Sequence, residues 1–130
     1  MEPMRQTSAD LLAVQTELIG REPIFHRREY GTTRQAFEAM VAEDFWEVGA
    51  SGRRYSREFI LDTLVKRYAT AHEDRWTAEE FYCQELSPGL YLLTYTLRQG
   101  PHVTRRTTLW RKSRESWVAV YHQGTMVEAP

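Results

Sequence analysis

A handful of side chains in this sequence have the types and spacing that could do chemistry: Glu47, Tyr95, Arg106, Trp110, Tyr121, His122 and Gln123. Glu47 stands between Trp46 and Val48 in a bulky, β-prone stretch. A carboxylate in such a place is costly unless it is paired, or unless its pKa rises enough to keep it neutral. It is a candidate general base or polar anchor; the alternative is a structural ion pair with Arg106, or exposure at a strand edge. Arg106 alternates with Thr104, Thr108 and Trp110, so it could hold a ligand carboxylate by a bidentate contact, or simply neutralise Glu47. Trp110, Tyr95 and Tyr121 would give a ligand flat walls, with phenols as donors, although strand aromatics also serve as plain core. His122 falls in a strand pattern, where a neutral imidazole could move protons near pH 7 or be a satisfied sheet histidine. Gln123 beside it joins the ligand-binding candidates.

Other chemistries find no support. His26, His72 and His102 fall on a helix or in loops without ligand spacing, and Cys83 is the only cysteine. No metal, disulfide or cofactor is therefore expected. No G-x-S-x-G turn presents a nucleophile, and Ser51 lacks that context.

The chain has 130 residues, 42% of them hydrophobic and 27% charged, which is the profile of one globular domain. A formal net charge of −1 gives no general attraction to nucleic acid or to an anionic membrane. The basic pairs Arg27-Arg28, Arg53-Arg54 and Arg105-Arg106 read as solvated or paired surface. No apolar run is long enough to span a bilayer, and the first residues lack the apolar centre of a signal peptide. Cytoplasm is the expected location.

The elements that must position these residues follow from a change of period. Thr7 with Asp10 approximates a capping box for a helix striped by Leu11, Val14 and Leu18, with Leu12 and Ile19 beside it. Gly20 is placed to end it, and Pro23 to start a short helix over residues 24–30 that Gly31 closes. Thr32 and Gln35 suggest a second capping box for a third helix striped by Phe37, Met40 and Val41. Residues 45–48 and 53–55 read as a small hairpin around a Gly-Ala-Ser-Gly turn. Ser56 is an N-cap for a fourth helix that turns Phe59, Ile60, Leu64, Val65 and Tyr68 inward and fades near Ala71, before the polar residues 72–74. Beyond it, residues 76–86, 90–98, 103–111 and 117–123 predict four strands in an antiparallel meander, with Cys83 as a small buried hydrophobe. Helices first and strands last predict an α+β fold with the N-terminal helices packed on one face of an antiparallel sheet. Both sheet faces carry apolar side chains, so a homodimer through the meander is expected.

The run EDFWEVGASGRRYSREFILDTL (43–64) resembles the helix-strand-turn-helix signature of uncharacterised nuclear transport factor 2-like domains. The run TTLWRKSRESWVAVYHQGT (107–125) is similar to the last hairpin of that family. The resemblance implies a cone: a bent sheet wraps the helices and leaves a pocket at the open end. Members related to ketosteroid isomerase and the SnoaL-type polyketide cyclases use that pocket for acid-base chemistry. The resemblance thus implies a pocket for a small apolar or carboxylate-bearing ligand. The first reading is a small-molecule-binding domain. The second is an isomerase, dehydratase or cyclase with Glu47 or His122 as base, and the third a dimeric module without turnover. The isomerase pattern needs an acid in the late strands, whereas Asp10, Asp44, Asp62 and Asp74 all read as helix or loop positions.

Overall fold

The computed structural model describes residues 2–70 and 75–128. Three helices pack on one face of a six-stranded sheet in the order β2-β1-β6-β5-β4-β3. The helices are α1 (Leu12–Ile19), α2 (Arg34–Met40) and α3 (Arg57–Tyr68). The strands are β1 (Val41–Val48), β2 (Arg54–Ser56), β3 (Thr77–Ser87), β4 (Leu90–Gln99), β5 (His102–Ser113) and β6 (Ser116–Met126). This is the α+β architecture that the change of period predicts, in the cone form that the resemblance implies. The four late strands form the antiparallel meander. The small hairpin β1–β2 joins it through a parallel pairing of β1 with β6, which makes the sheet mixed. No helix among the described residues is long and apolar enough to cross a membrane.

The core lies between the helices and the inner sheet face. Leu18, Phe37, Leu61 and Leu64 from the helices meet Leu93, Leu97, Trp110 and Ala119 from the strands, with Cys83 buried among them. Phe25 packs edge-on against both Phe37 and Phe45, its ring centroid 6.3 and 6.1 Å from theirs.

Several local expectations are corrected. The helix expected over residues 24–30 shrinks to a 3-10 turn, Arg28–Tyr30. Phe25 takes a φ of +72°, a left-handed conformation costly for a bulky residue, and it interrupts the helical path. Thr7 caps nothing. Its hydroxyl instead donates to Gln15 and accepts the Cys83 N–H, tying the N-terminal segment to β3. The cap of α2 is Thr33 rather than Thr32, and it accepts from Ala36 N at 3.1 Å. Val41 begins β1 instead of ending α2. On α3, Phe59 and Val65 are exposed, because only Ile60, Leu61 and Leu64 lie on the stripe that meets the sheet. Leu12 is likewise exposed. α3 ends at Tyr68, and the loop expected at residues 72–74, with His72 and Asp74, lies outside the described residues.

The pair Arg27-Arg28 is not ordinary surface. The Arg27 guanidinium donates to the carbonyls of Glu22 (2.8 Å) and Ile19 (3.1 Å), closing the end of α1 and holding the loop after it. Its plane also lies over Trp76, 4.8 Å from the ring centroid. Arg34 bridges Glu58 and Asp62, one turn apart on α3, and so fastens α2 to α3.

Ser56 ends β2 and caps α3, accepting from Phe59 N at 3.2 Å. Ser56→Ala should lower stability by about 1 kcal/mol, and Ser56→Gly by only a few tenths. Urea unfolding midpoints check this; equal losses in the two variants would mean that the hydroxyl does not cap the helix.

Candidate functional site

The most unusual side chain in the molecule is one that the sequence reading passed over. Glu22 is entirely buried. Its Oε1 accepts from Tyr95 Oη at 2.8 Å and from Ile24 N at 2.9 Å, and its Oε2 accepts from Trp110 Nε1 at 2.9 Å. Burial raises the Glu22 pKa, and nearby Thr108 together with these three hydrogen bonds opposes the rise. The Trp indole and the Ile amide can only donate, whereas the Tyr hydroxyl can donate or accept. Either protonation state of Glu22 can therefore be satisfied. The carboxyl ties the loop after α1 to β4 and β5.

Beyond this acid, a line of hydrogen bonds runs from Thr108 towards the solvent side. His122 Nδ1 lies 2.9 Å from Thr108 Oγ1, and its Nε2 lies 3.3 Å from Arg106 Nη1. Arginine has no acceptor, so Nε2 must carry the lone pair and Nδ1 the proton. Burial first, then the charges of Arg106 and His26, push the His122 pKa down to about 3. The ring is neutral, with both nitrogens engaged. Arg106 is held further by Thr104 Oγ1 at 3.0 Å and Gln99 Oε1 at 3.5 Å. Its guanidinium lies against Gly124, where a Cβ would come within 3.4 Å of Nε.

Arg106 and His122 reach a cavity of about 270 Å³ between the sheet and α3. Glu47, Gln99 and His26 also line it; Ile60, Leu64 and Arg67 come from α3, and Ile24 and Phe25 from the loop after α1. The strained Phe25 backbone thus forms part of the wall, its carbonyl fixed by the Tyr68 hydroxyl. Glu47 is opposite His122 in the β1–β6 register, so the two share the inner face. Burial raises its pKa, and the positive charges of Arg106 and Arg67 oppose that. Neither arginine approaches it as an ion pair within 4 Å, and no side chain or amide among the described residues hydrogen-bonds to it.

Of the residues singled out by sequence, the cavity gathers Glu47, Arg106 and His122. Tyr95 and Trp110 lie on the same face but outside the cavity lining, where they clamp Glu22. Tyr121 and Gln123 are corrections. In the pairing of β6 with β5, Ala119 opposes Trp110 and Tyr121 opposes Leu109, so Val120 is an extra residue. That bulge inverts the alternation, leaving Trp117 and Ala119 inside before it and His122 and Gly124 inside after it. Tyr121 is turned to the outer face, its ring 4.6 Å from that of Trp46 and its hydroxyl on Gln123 at 2.5 Å. Sequence reasoning missed Glu22, Thr108, His26 and Arg67; the signal for Glu22 was an acid placed just before the apolar run Pro23-Ile24-Phe25. Among the described residues no group of three His, Cys, Asp or Glu is placed to hold a metal ion.

The low His122 pKa has a definite sign. Between its ordinary value of 6.5 and about 3, the unfolded chain binds a proton that the native ring refuses. Its contribution is present above pH 6.5 and is lost as pH falls towards 3. Glu22, with a raised pKa, acts in the opposite sense: its contribution is present below 4.5 and is lost as pH rises through the native value. The difference in stability between wild type and His122→Gln should therefore shrink below pH 6.5, at up to about 1.4 kcal/mol per pH unit. Urea unfolding at stepped pH measures it, and a difference independent of pH would contradict a neutral buried ring. Glu22→Ala, which strands three buried donors, should cost roughly 3–5 kcal/mol, most at low pH where the carboxyl's own contribution is complete.

No protein-family model matches the sequence, and no curated protein matches it. Solved structures do. A cystatin-like fold protein from Burkholderia xenovorans aligns with a TM-score of 0.69 at 12% identity, over 95% of this chain and 96% of that one. A nuclear transport factor 2-like protein from Cytophaga hutchinsonii aligns at 0.65 and 8% identity, over 94% and 100%. A putative calcium/calmodulin-dependent kinase II association domain from Exiguobacterium sibiricum aligns at 0.61 and 22% identity, over 100% and 99%. These likenesses extend over nearly the whole of each chain, and this chain has the cystatin-like, nuclear transport factor 2-like fold.

Proposed function

We propose that this chain is a small-ligand-binding domain whose ligand occupies the cavity between α3 and the sheet. The observation that carries this reading is Glu47: a carboxyl on the inner sheet face, drawn up in pKa by burial, yet without a hydrogen-bond partner among the described residues. Glu22, the other acid among the described residues that is not exposed, has three donors. A half-satisfied polar group facing a cavity is what a bound molecule would complete.

A second reading is an acid-base enzyme in which Glu47 takes a proton from the ligand. Its raised pKa favours that role, since a base near neutrality is the more effective one. His122 suits it poorly because its lone pair accepts from Arg106. The comparison structures contribute the fold to this argument and no activity.

Assembly is a separate proposal, a homodimer through the outer sheet face. Trp46 and Leu86 are about half exposed there, beside the partly covered Leu92, Leu109 and Tyr121. A two-fold pairing of this face would remove them from water. Light scattering across micromolar concentrations should give twice the 15.3 kDa chain mass, and a monomer mass throughout would rule it out.

Glu47→Gln tests the binding reading. Because the carboxyl makes no direct bond, the substitution should leave the melting temperature within about 2 °C of wild type. Fragments found by methyl NMR to shift Ile24, Ile60 and Leu64 should lose affinity in the variant. A large loss of stability would instead make Glu47 a structural charge, and a fragment screen that never moves these methyls would leave the cavity without a binding role.

A further inference from the structure

The charges around the cavity narrow the class of ligand. Arg106 is half-buried, and its three hydrogen-bond partners, Thr104, His122 and Gln99, are all neutral. Among the described residues no carboxylate lies within 4 Å of it, although Arg34, Arg57, Arg98 and Arg105 each have one. Those three contacts use one N–H on each guanidinium nitrogen, which leaves one on each terminal nitrogen, in the paired arrangement that fits the two oxygens of a carboxylate. Arg67 adds a second cation from α3, also without an ion-pair partner among the described residues, and it is exposed at the rim.

Glu47 supplies the complementary feature. It lies two strands away from Arg106 on the same face, with only His122 and Gly124 of β6 between them. Gly124 has no side chain to fill that gap, so one molecule can reach both groups. Opposite them, Ile60 and Leu64 offer an apolar surface. At about 270 Å³ the space falls just below the roughly 300–1,000 Å³ of pockets for drug-sized ligands. It would hold about nine waters at ~30 Å³ each.

We infer that the ligand is a small carboxylic acid bearing a hydroxyl or ammonium donor, with its carboxylate on Arg106, its donor on Glu47 and its apolar body against Ile60 and Leu64. This rests on the ligand-binding reading and specifies the chemistry of the same site. Arg106 gains an anion and Glu47 gains a donor from one molecule. A neutral apolar molecule of equal size would satisfy neither.

The test uses glycolate, lactate and mandelate, each beside its amide and its deoxy acid, at millimolar concentration by calorimetry and by the methyl shifts of Ile24, Ile60 and Leu64. At least one hydroxy acid should bind about tenfold or more tightly than its amide and than its deoxy acid. Arg106→Gln should remove the preference over the amide, and Glu47→Gln should remove the preference over the deoxy acid. Arg67→Gln, on an exposed residue with no fold at stake, should weaken the acids by roughly two- to fivefold, and less at high salt. Amides that bind as well as acids in wild type would overturn the inference and leave the ligand-binding reading standing. If neither acids nor amides move the cavity methyls, both fall.

Discussion

Taking a carboxyl group wholly out of water costs more than most single contacts return, so such a group persists only where the surroundings are organised around it. Glu22 is that group here. Its two oxygens gather donors from the loop after α1, from β4 and from β5, and its backbone carbonyl receives Arg27. The loop between α1 and α2 is thereby held on the sheet by polar bonds, while Phe25 fills the space between Phe37 and Phe45. The cavity depends on this arrangement: its end wall is the stretch from Ile24 to His26, held in an unfavourable backbone conformation at Phe25. The Tyr68 hydroxyl on the Phe25 carbonyl holds the same wall from α3.

The polar interior then divides into two layers. In the deeper layer Glu22, Thr108, Tyr95, Trp110 and His122 are mutually satisfied, and the direction of each bond is set by its neighbours. Arg106 can only donate, so His122 presents its lone pair to it and its proton to Thr108. In the outer layer Glu47, Arg67 and part of Arg106 face the cavity without direct partners among the described residues. The first layer is what a stable core requires, and the second is what a binding site requires. Their junction is the Arg106 guanidinium, flat against Gly124 and held by three neutral acceptors.

The change from helical to alternating period was legible because it reports burial along many residues, so the four late strands and the cap at Ser56 could be read directly. Pairings distant in sequence could not. Nothing local to residues 41–48 shows that β1 will run parallel to β6, because that contact is set by how the hairpin folds back over α3. Glu22 was hidden for a related reason. Its three donors come from residues 24, 95 and 110, so its surroundings exist only once the meander has formed. A lone acid next to a proline reads as turn chemistry until then.

The bulge at Val120 is the sharpest case, since it alone decides which side chains of β6 enter the cone. With strict alternation Trp117, Ala119, Tyr121 and Gln123 would share a face, and the cavity floor would be a phenol and an amide. One extra residue exchanges the faces for the rest of the strand. His122 and Gly124 then point inward, giving Arg106 an acceptor and an open surface to lie on. Tyr121 and Gln123 are released to the outer face beside Trp46. The same inversion therefore supplies the polar floor of the cavity and adds an aromatic residue to the proposed dimer face, which couples the two proposals through a single backbone irregularity.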